Sequence, residues 1–192
     1  MKPNRGVRAE YLKAFAEIVT RIANKVAAAP SGSTPIRMYV AGGAALHLMT
    51  GTRVSEDIDA VFSRRILLND DIQVSYRDAD GRARLLYLDR NYNDTLGLLH
   101  EDAYEDSRPV TIPGVDPRTI EVRALAPVDL AVTKLARFSE QDRADIELMA
   151  KAGLIESASL RKRANEALGG YVGDLDSVRT SIEIACRLVE AR

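Results

Sequence analysis

A single cysteine, Cys186, stands in 192 residues. No disulfide within the chain is then possible and no cysteine cluster can hold zinc, so the sequence predicts a reducing, cytoplasmic setting and a buried apolar role for Cys186 on the last helix. Histidine is scarce as well. His47 and His100 have no second His or Cys at ligand spacing, which reads as packing or surface residues. Neither sign of charge is in excess: 27 Lys and Arg against 28 Asp and Glu give a formal net charge of -1 and no global field to draw in a polyanion, although local basic clusters could still do so. Long apolar runs are missing too. The longest, Met38 to Met49, is broken by Gly42, Gly43 and His47 and is too short to span a bilayer. The N-terminal Met-Lys-Pro-Asn-Arg leads into an amphipathic pattern without the apolar stretch of a signal peptide, so no membrane contact is expected.

What is present is the profile of an ordinary globular protein, with 46% apolar and 29% charged residues. Apolar residues at spacings of three and four predict a helix from Arg8 to Ala29, closed by the loop "APSGSTP". Ile36 to Ala41 then reads as a strand stopped by Gly42, Ala44 to Thr50 as a short helix closed by Gly51, and Asp57 to Phe62 (DIDAVF) as the next strand. Two alternating runs within residues 71 to 88 meet at Asp80-Gly81, a good hairpin turn. Further strands are expected at Thr95 to Leu99, Pro109 to Ile112 and Thr119 to Ala124, with an acidic loop, "HEDAYEDS", among them. After Pro127 the period turns helical: Val128 to Phe138, Ser139 to Ala152 with Gly153 as its stop, Ser157 to Leu168, and Asp174 to Glu190. The expected organisation is an α/β (α+β) core over residues 1–126 and a helical part over 127–192 packed on it.

The chemistry concentrates in residues 39 to 62. Strand geometry projects residues i and i+2 from one face, so Asp57 and Asp59 point at one spot while Ile58 turns to the core. Two such carboxylates repel each other unless a cation is present, and hard oxygen ligands suit Mg²⁺ or Mn²⁺. Gly42 and Gly43 lie between a strand and a helix, where absent side chains allow either close strand-to-helix packing or approach of an anion to free N–H groups. Residues 44 to 56 suffice for one short helix and a return, which would bring the glycines and the carboxylates into one crevice.

The glycine pair followed by "SEDID" resembles the signature of the DNA polymerase beta-like nucleotidyltransferase superfamily, and the wording "GGAALHL...TRVSEDIDAVF" is similar to small bacterial abortive-infection and toxin-antitoxin nucleotidyltransferases. That resemblance implies a small mixed β-sheet flanked by helices, and metal-dependent transfer of a nucleoside monophosphate from an NTP. Asp57 and Asp59 would hold Mg²⁺ or Mn²⁺, with Gly42 and Gly43 against the triphosphate. Ser55 could offer a hydroxyl and Arg53 a cation to phosphate, or they could be a turn residue and a solvated charge. The family also carries a third acidic residue on a later strand. Glu121 in "TIEVRAL" fits if that strand lies beside DIDAVF, where it could ligand a second metal and help deprotonate the attacking hydroxyl, and otherwise reads as an outward residue on an edge strand paired with Arg123. In the toxin-like relatives a Lys followed by an Asp contributes to the NTP site, a pattern that Lys134 with Asp142 or Asp145 matches loosely. Ser139 and Asp142 equally satisfy an S-x-x-D helix start.

The implied acceptor is a hydroxyl on tRNA, a protein or a small molecule of the antibiotic type, and a toxin role implies a cognate antitoxin. A degenerate protein of the same fold that binds nucleotide or a partner without catalysis is the alternative, and a phosphohydrolase or kinase-like use of the metal site is a third. Arg161, Lys162 and Arg163 form the densest basic run, a solvated helix face or an RNA contact.

Overall fold

The structure, a computed structural model, describes residues 1–27, 35–68, 71–92 and 97–191. The last two residues of the helix expected from Arg8 to Ala29, the loop after it up to residue 34, and the first two residues of the strand expected at Thr95 to Leu99 fall outside these; residues 97–99 are not a strand. The chain divides into two compact units, Met1–Tyr92 with Arg108–Ala124, and Asn93–Ser107 with Leu125–Arg192.

Alternation of apolar and polar residues gives the first unit a two-sided sheet. Its strands are β1 (Ile36–Val40), β2 (Asp57–Phe62), β3 (Gln73–Arg77), β4 (Ala83–Asp89), β5 (Arg108–Pro109) and β6 (Ile120–Ala124), in the order β3-β4-β2-β1-β6-β5. β2 is antiparallel to β1 and parallel to β4, and β6 is parallel to β1. The β3/β4 hairpin turns where the sequence indicates: Gly81 has φ +78°, and the Asp78 carboxylate accepts from the Asp80 and Arg82 N–H groups. β5 is shorter than the expected strand from Pro109 to Ile112: the Val110 N–H still donates to the Val122 carbonyl, but the Thr111 N–H turns away to the Met1 carbonyl.

On one face Met38, Val40, Ile58, Leu86, Leu88, Ile120 and Val122 are all buried. Helices α1 (Ala9–Ala27) and α2 (Gly42–Thr50) pack on this side. Tyr11 of α1 stands edge-on to Tyr76 of β3, with ring centroids 6.4 Å apart, and to His47 of α2 at 4.6 Å. The 3.6-residue period of α1 places Phe15, Ile18, Val19 and Ile22 in the core, and each fully buried side chain of this size contributes about 1.5–3 kcal/mol. The opposite face carries Arg37, Asp57, Asp59, Tyr87, Asp89 and Glu121, none of them buried.

The second unit holds α3 (Pro127–Val132), α4 (Glu140–Lys151), α5 (Ser157–Ala167) and α6 (Leu175–Glu190). Leu130, Ile146, Met149, Leu160, Ile182 and the expected apolar Cys186 form its interior. The helix expected from Val128 to Phe138 ends at Val132 and continues as turns, with Phe138 at φ +47°. Inside α3 the fully buried Asp129 is gripped by both Nε and Nη2 of Arg163, at 2.7 and 3.1 Å. Among the described residues no helix is long and apolar enough to cross a membrane.

Candidate active site

The end of β1 and the start of α2 determine where the carboxylates of β2 lie. Val40 pairs with Ala60, and the Ala41 N–H donates to the Asp59 carbonyl at 2.9 Å, so the chain turns into α2 directly beside Asp59. Gly42 opens the helix with φ +56°, a left-handed conformation that L side chains rarely adopt. A Cβ added there would overlap Asp59 Oδ2 and stand 2.9 Å from Asp59 Cγ. At Gly43 an added Cβ would meet Ser55 Oγ at 2.7 Å and Arg53 Nη1 at 3.0 Å. The two glycines therefore admit Asp59, Ser55 and Arg53 to the first turn of α2. That turn has no side-chain cap, because its N-cap is Ala41. The first turn, with its N–H groups and the positive end of the helix dipole, begins beside Asp59.

Asp57 and Asp59 share a face as alternation requires, and Ser55 donates to Asp57 Oδ1. Across the parallel pairing to β4, Asp57 is level with Tyr87 and Asp59 with Asp89. The charges of Asp57, Asp89, Glu56 and Asp59 all bear on the Tyr87 phenol, which partial burial and then these carboxylates push above its ordinary pKa. Asp89 Oδ1 accepts from the Asn91 N–H at 2.8 Å. The structure thus gathers Gly42, Gly43, Arg53, Ser55, Asp57 and Asp59 and adds Asp89, which the sequence reading overlooked. Its signal is the ending "LYLD" of a strand, but only the β2/β4 register makes it meaningful.

Glu121 is not brought to this group. β6 lies beside β1 rather than beside β2, and Glu121 is level with Arg37, whose carbonyl accepts from Ser63. That is four residues along β2 from Asp59 and two strands across, roughly 16 Å by ordinary strand spacings. Its carboxylate is engaged by Arg123 at 3.1 Å and Arg37 at 3.4 Å.

Lys134 and Asp142 sit together in the helical unit. Lys134 Nζ is 2.6 Å from Asp145 Oδ2 and 3.8 Å from Asp142 Oδ1. Asp142 also receives Arg137 Nε and Nη2, both at 2.8 Å, and forms a capping box with Ser139 at the start of α4. Burial raises the Asp142 carboxyl, but Arg137, Ser139 and Lys134 outweigh it and hold its pKa at about 2. Lys134, Asp142 and Asp145 are buried together, with the exposed Arg137 paired to Asp142, and the helix start expected from Ser139 and Asp142 is present.

Among the described residues no three Asp, Glu, His or Cys side chains stand together as a ready metal cluster. Asp57 and Asp59 still fit a divalent ion in donor chemistry, because Mg²⁺ is commonly held by one or two carboxylates with substrate phosphates and water completing its shell.

A six-stranded mixed sheet flanked by helices, with a glycine turn set against paired carboxylates, is compatible with a nucleotidyltransferase fold. Residues 18–181 match the family described as "Nucleotidyltransferase of unknown function (DUF6036)", and the chain belongs to that family. Nucleotidyl transfer is the general kind of reaction that description names, with the substrates left open. No curated protein and no solved structure matches the chain significantly.

Proposed function

We propose that the protein is a Mg²⁺-dependent nucleotidyltransferase of the polymerase beta-like kind that moves a nucleoside monophosphate from an NTP to a hydroxyl acceptor. The observation that carries this reading is the contact between Gly42 and Asp59: the glycine turn leaves room for the carboxylate and for nothing larger than a hydrogen on Cα. A phosphate at the uncapped start of α2 would lie against Asp59, an arrangement of two anions that is repulsive without a cation. Asp57 and Asp59 would hold Mg²⁺, which when bound neutralises the charge that builds on the phosphate oxygens. Gly42, Gly43, Ser55 and Arg53 would receive the triphosphate. Asp89, level with Asp59 on β4 and with Oδ1 accepting from the Asn91 N–H, would accept the hydroxyl proton in the role the sequence offered to Glu121. The acceptor oxygen bonds to the α-phosphorus, the bond from that phosphorus to the α–β bridging oxygen breaks, and pyrophosphate leaves in line.

The test is incubation with α-labelled NTPs, Mg²⁺ and total RNA or lysate. A labelled acceptor is expected with the wild-type chain and none with Asp57→Asn; equal labelling by the variant would remove Asp57 from the reaction. Without a three-carboxylate cluster among the described residues, a second reading is a nucleotide-binding protein that transfers nothing. It would bind Mg²⁺-NTP and release no pyrophosphate with any acceptor fraction. For the toxin reading, which rests on the resemblance of residues 39 to 62, growth arrest on expression should be relieved by Asp59→Asn.

A further inference from the structure

Beyond the carboxylates, where β2 and β4 run out side by side, the first unit has a cleft of about 450 Å³. Asp89 forms part of its wall, with Arg64, Arg65 and Arg90 around it and Leu67 and Tyr92 as apolar lining. Its volume falls within the range of small-molecule sites.

The charges there differ in kind from the basic run on α5. Arg161 is paired with Glu183, Arg163 with Asp129 and Asp106, and Lys162 lies 3.9 Å from Glu166, so that helix face is matched charge for charge. In the cleft only Arg90 has a carboxylate, the exposed Asp71 at 3.2 Å; Arg64 and Arg65 have none among the described residues. Leu67 is 76% exposed in the same cleft, an apolar side chain left in water at an otherwise cationic place. Guanidinium groups without carboxylate partners, beside an apolar wall, suit a ligand with a phosphate and a flat or apolar body.

Position supplies the rest. The glycine turn meets Asp59 from the β1 side of β2, whereas the cleft is lined by the C-terminal ends of β2 and β4 and the residues that follow them, Asp89 included. An in-line displacement needs the entering oxygen and the leaving pyrophosphate on opposite sides of phosphorus. With the donor's phosphates at Gly42 and Gly43, an acceptor seated in the cleft would approach Asp59 from the side away from them. We propose that this cleft binds the acceptor, a hydroxylated substrate that carries its own phosphate, with Arg64, Arg65 and Arg90 holding that phosphate and Asp89 at its hydroxyl. A free nucleotide and the 3′ end of an RNA share this chemistry. The inference rests on the nucleotidyltransferase reading above.

The test uses the full chain and two binding measurements. Fluorescence anisotropy follows a 5′-fluorescein-labelled hexaribonucleotide with a free 3′ hydroxyl, and a fluorescent ATP analogue with Mg²⁺ reports the donor site. Arg64→Glu/Arg65→Glu is expected to weaken hexanucleotide binding at least tenfold and to leave Mg²⁺-ATP binding within twofold of wild type. Arg161→Ala/Lys162→Ala should change neither. Thermal melts establish that the variants are folded, and Arg64→Gln/Arg65→Gln serves if the reversal unfolds the chain. AMP that displaces the hexanucleotide at concentrations near the latter's own dissociation constant indicates a small phosphorylated acceptor. Displacement by unlabelled hexanucleotide alone indicates an RNA end, and both outcomes support the proposal. A wild-type chain that binds neither AMP nor the hexanucleotide, or a charge reversal that leaves binding unchanged, overturns it. Mg²⁺-ATP binding that is absent, or indifferent to Asp57→Asn, overturns the donor assignment instead, so the two failures are distinguishable.

Discussion

Gly42→Ala perturbs the contact on which the site is built, and its cost can be divided into two parts. The backbone part comes from φ +56°, where an L-residue is disfavoured by roughly 1–2 kcal/mol. The second part is the overlap of the new methyl with Asp59 Oδ2, which obliges the Asp59 side chain to leave its rotamer at a cost of about 1 kcal/mol or more. Together they amount to about 3 kcal/mol, a fall of roughly 6–12 °C in melting temperature for a chain of this size. Gly114→Ala separates the parts: Gly114 has φ +78° with nothing within 4 Å of an added Cβ, so only the backbone cost applies. Urea unfolding should therefore show Gly42→Ala costing about 1 kcal/mol more than Gly114→Ala, an excess close to the rotamer cost alone. In an Asp59→Ala background that excess should largely vanish, as a double-mutant cycle would record. Mg²⁺-dependent NTP binding should fall with Gly42→Ala even where the chain is fully folded, because Asp59 has been displaced. Equal costs at Gly42 and Gly114, or a cost that survives Asp59→Ala, would refute the reasoning.

Asp142 gives a pH-dependent expectation. Its folded pKa of about 2 lies below its ordinary 3.8, so its contribution is complete above pH 4 and is lost as pH falls through about 2. Asp142→Asn should cost about 2 kcal/mol in urea unfolding at pH 7, with the gap to wild type closing towards pH 2; a gap independent of pH would contradict this. The Tyr11 hydroxyl is buried without a hydrogen-bond partner among the described residues, so Tyr11→Phe should be neutral or stabilise by up to about 1 kcal/mol, and a marked loss in thermal unfolding would reveal a partner for that hydroxyl. Asp57→Asn, which leaves Ser55 without the carboxylate it donates to, should weaken Mg²⁺-dependent NTP binding at least tenfold in fluorescence titration and leave metal-free binding little changed.

Features fixed by local chemistry were legible in the sequence. DIDAVF occupies the expected residues, Gly51 ends α2 at φ +73°, Asp80-Gly81 turns the hairpin, and Ser139 and Asp142 close a capping box. Where expectation and structure differ, a longer-range cause is visible. α2 begins at Gly42 rather than Ala44, although glycine is a poor helix former, because the space beside Asp59 and Ser55 excludes any side chain. α3 stops at Val132 because the turn that follows carries Lys134 inward to Asp145, a partner that no periodicity reveals.

Glu121 and Asp89 mark the limit of such reading most clearly. Both are acidic residues in alternating strands, and local sequence ranks Glu121, flanked by Ile120 and Val122, at least as high as Asp89 at a strand's end. Strand order sets them apart. β6 joins the sheet on the far side of β1, where Arg37 and Arg123 neutralise Glu121, while the β3/β4 hairpin lays Asp89 level with Asp59. Of the two, only Asp89 lies on a strand next to β2 and level with Asp59, and a single experiment separates them. Asp89→Asn should abolish label transfer at unchanged Mg²⁺-NTP affinity, whereas Glu121→Gln should leave transfer intact and affect only stability, by up to about 1 kcal/mol for a partly exposed ion pair. Transfer that survives Asp89→Asn and fails with Glu121→Gln would reverse the order of the two residues and with it the reading of the sheet as the frame of the site.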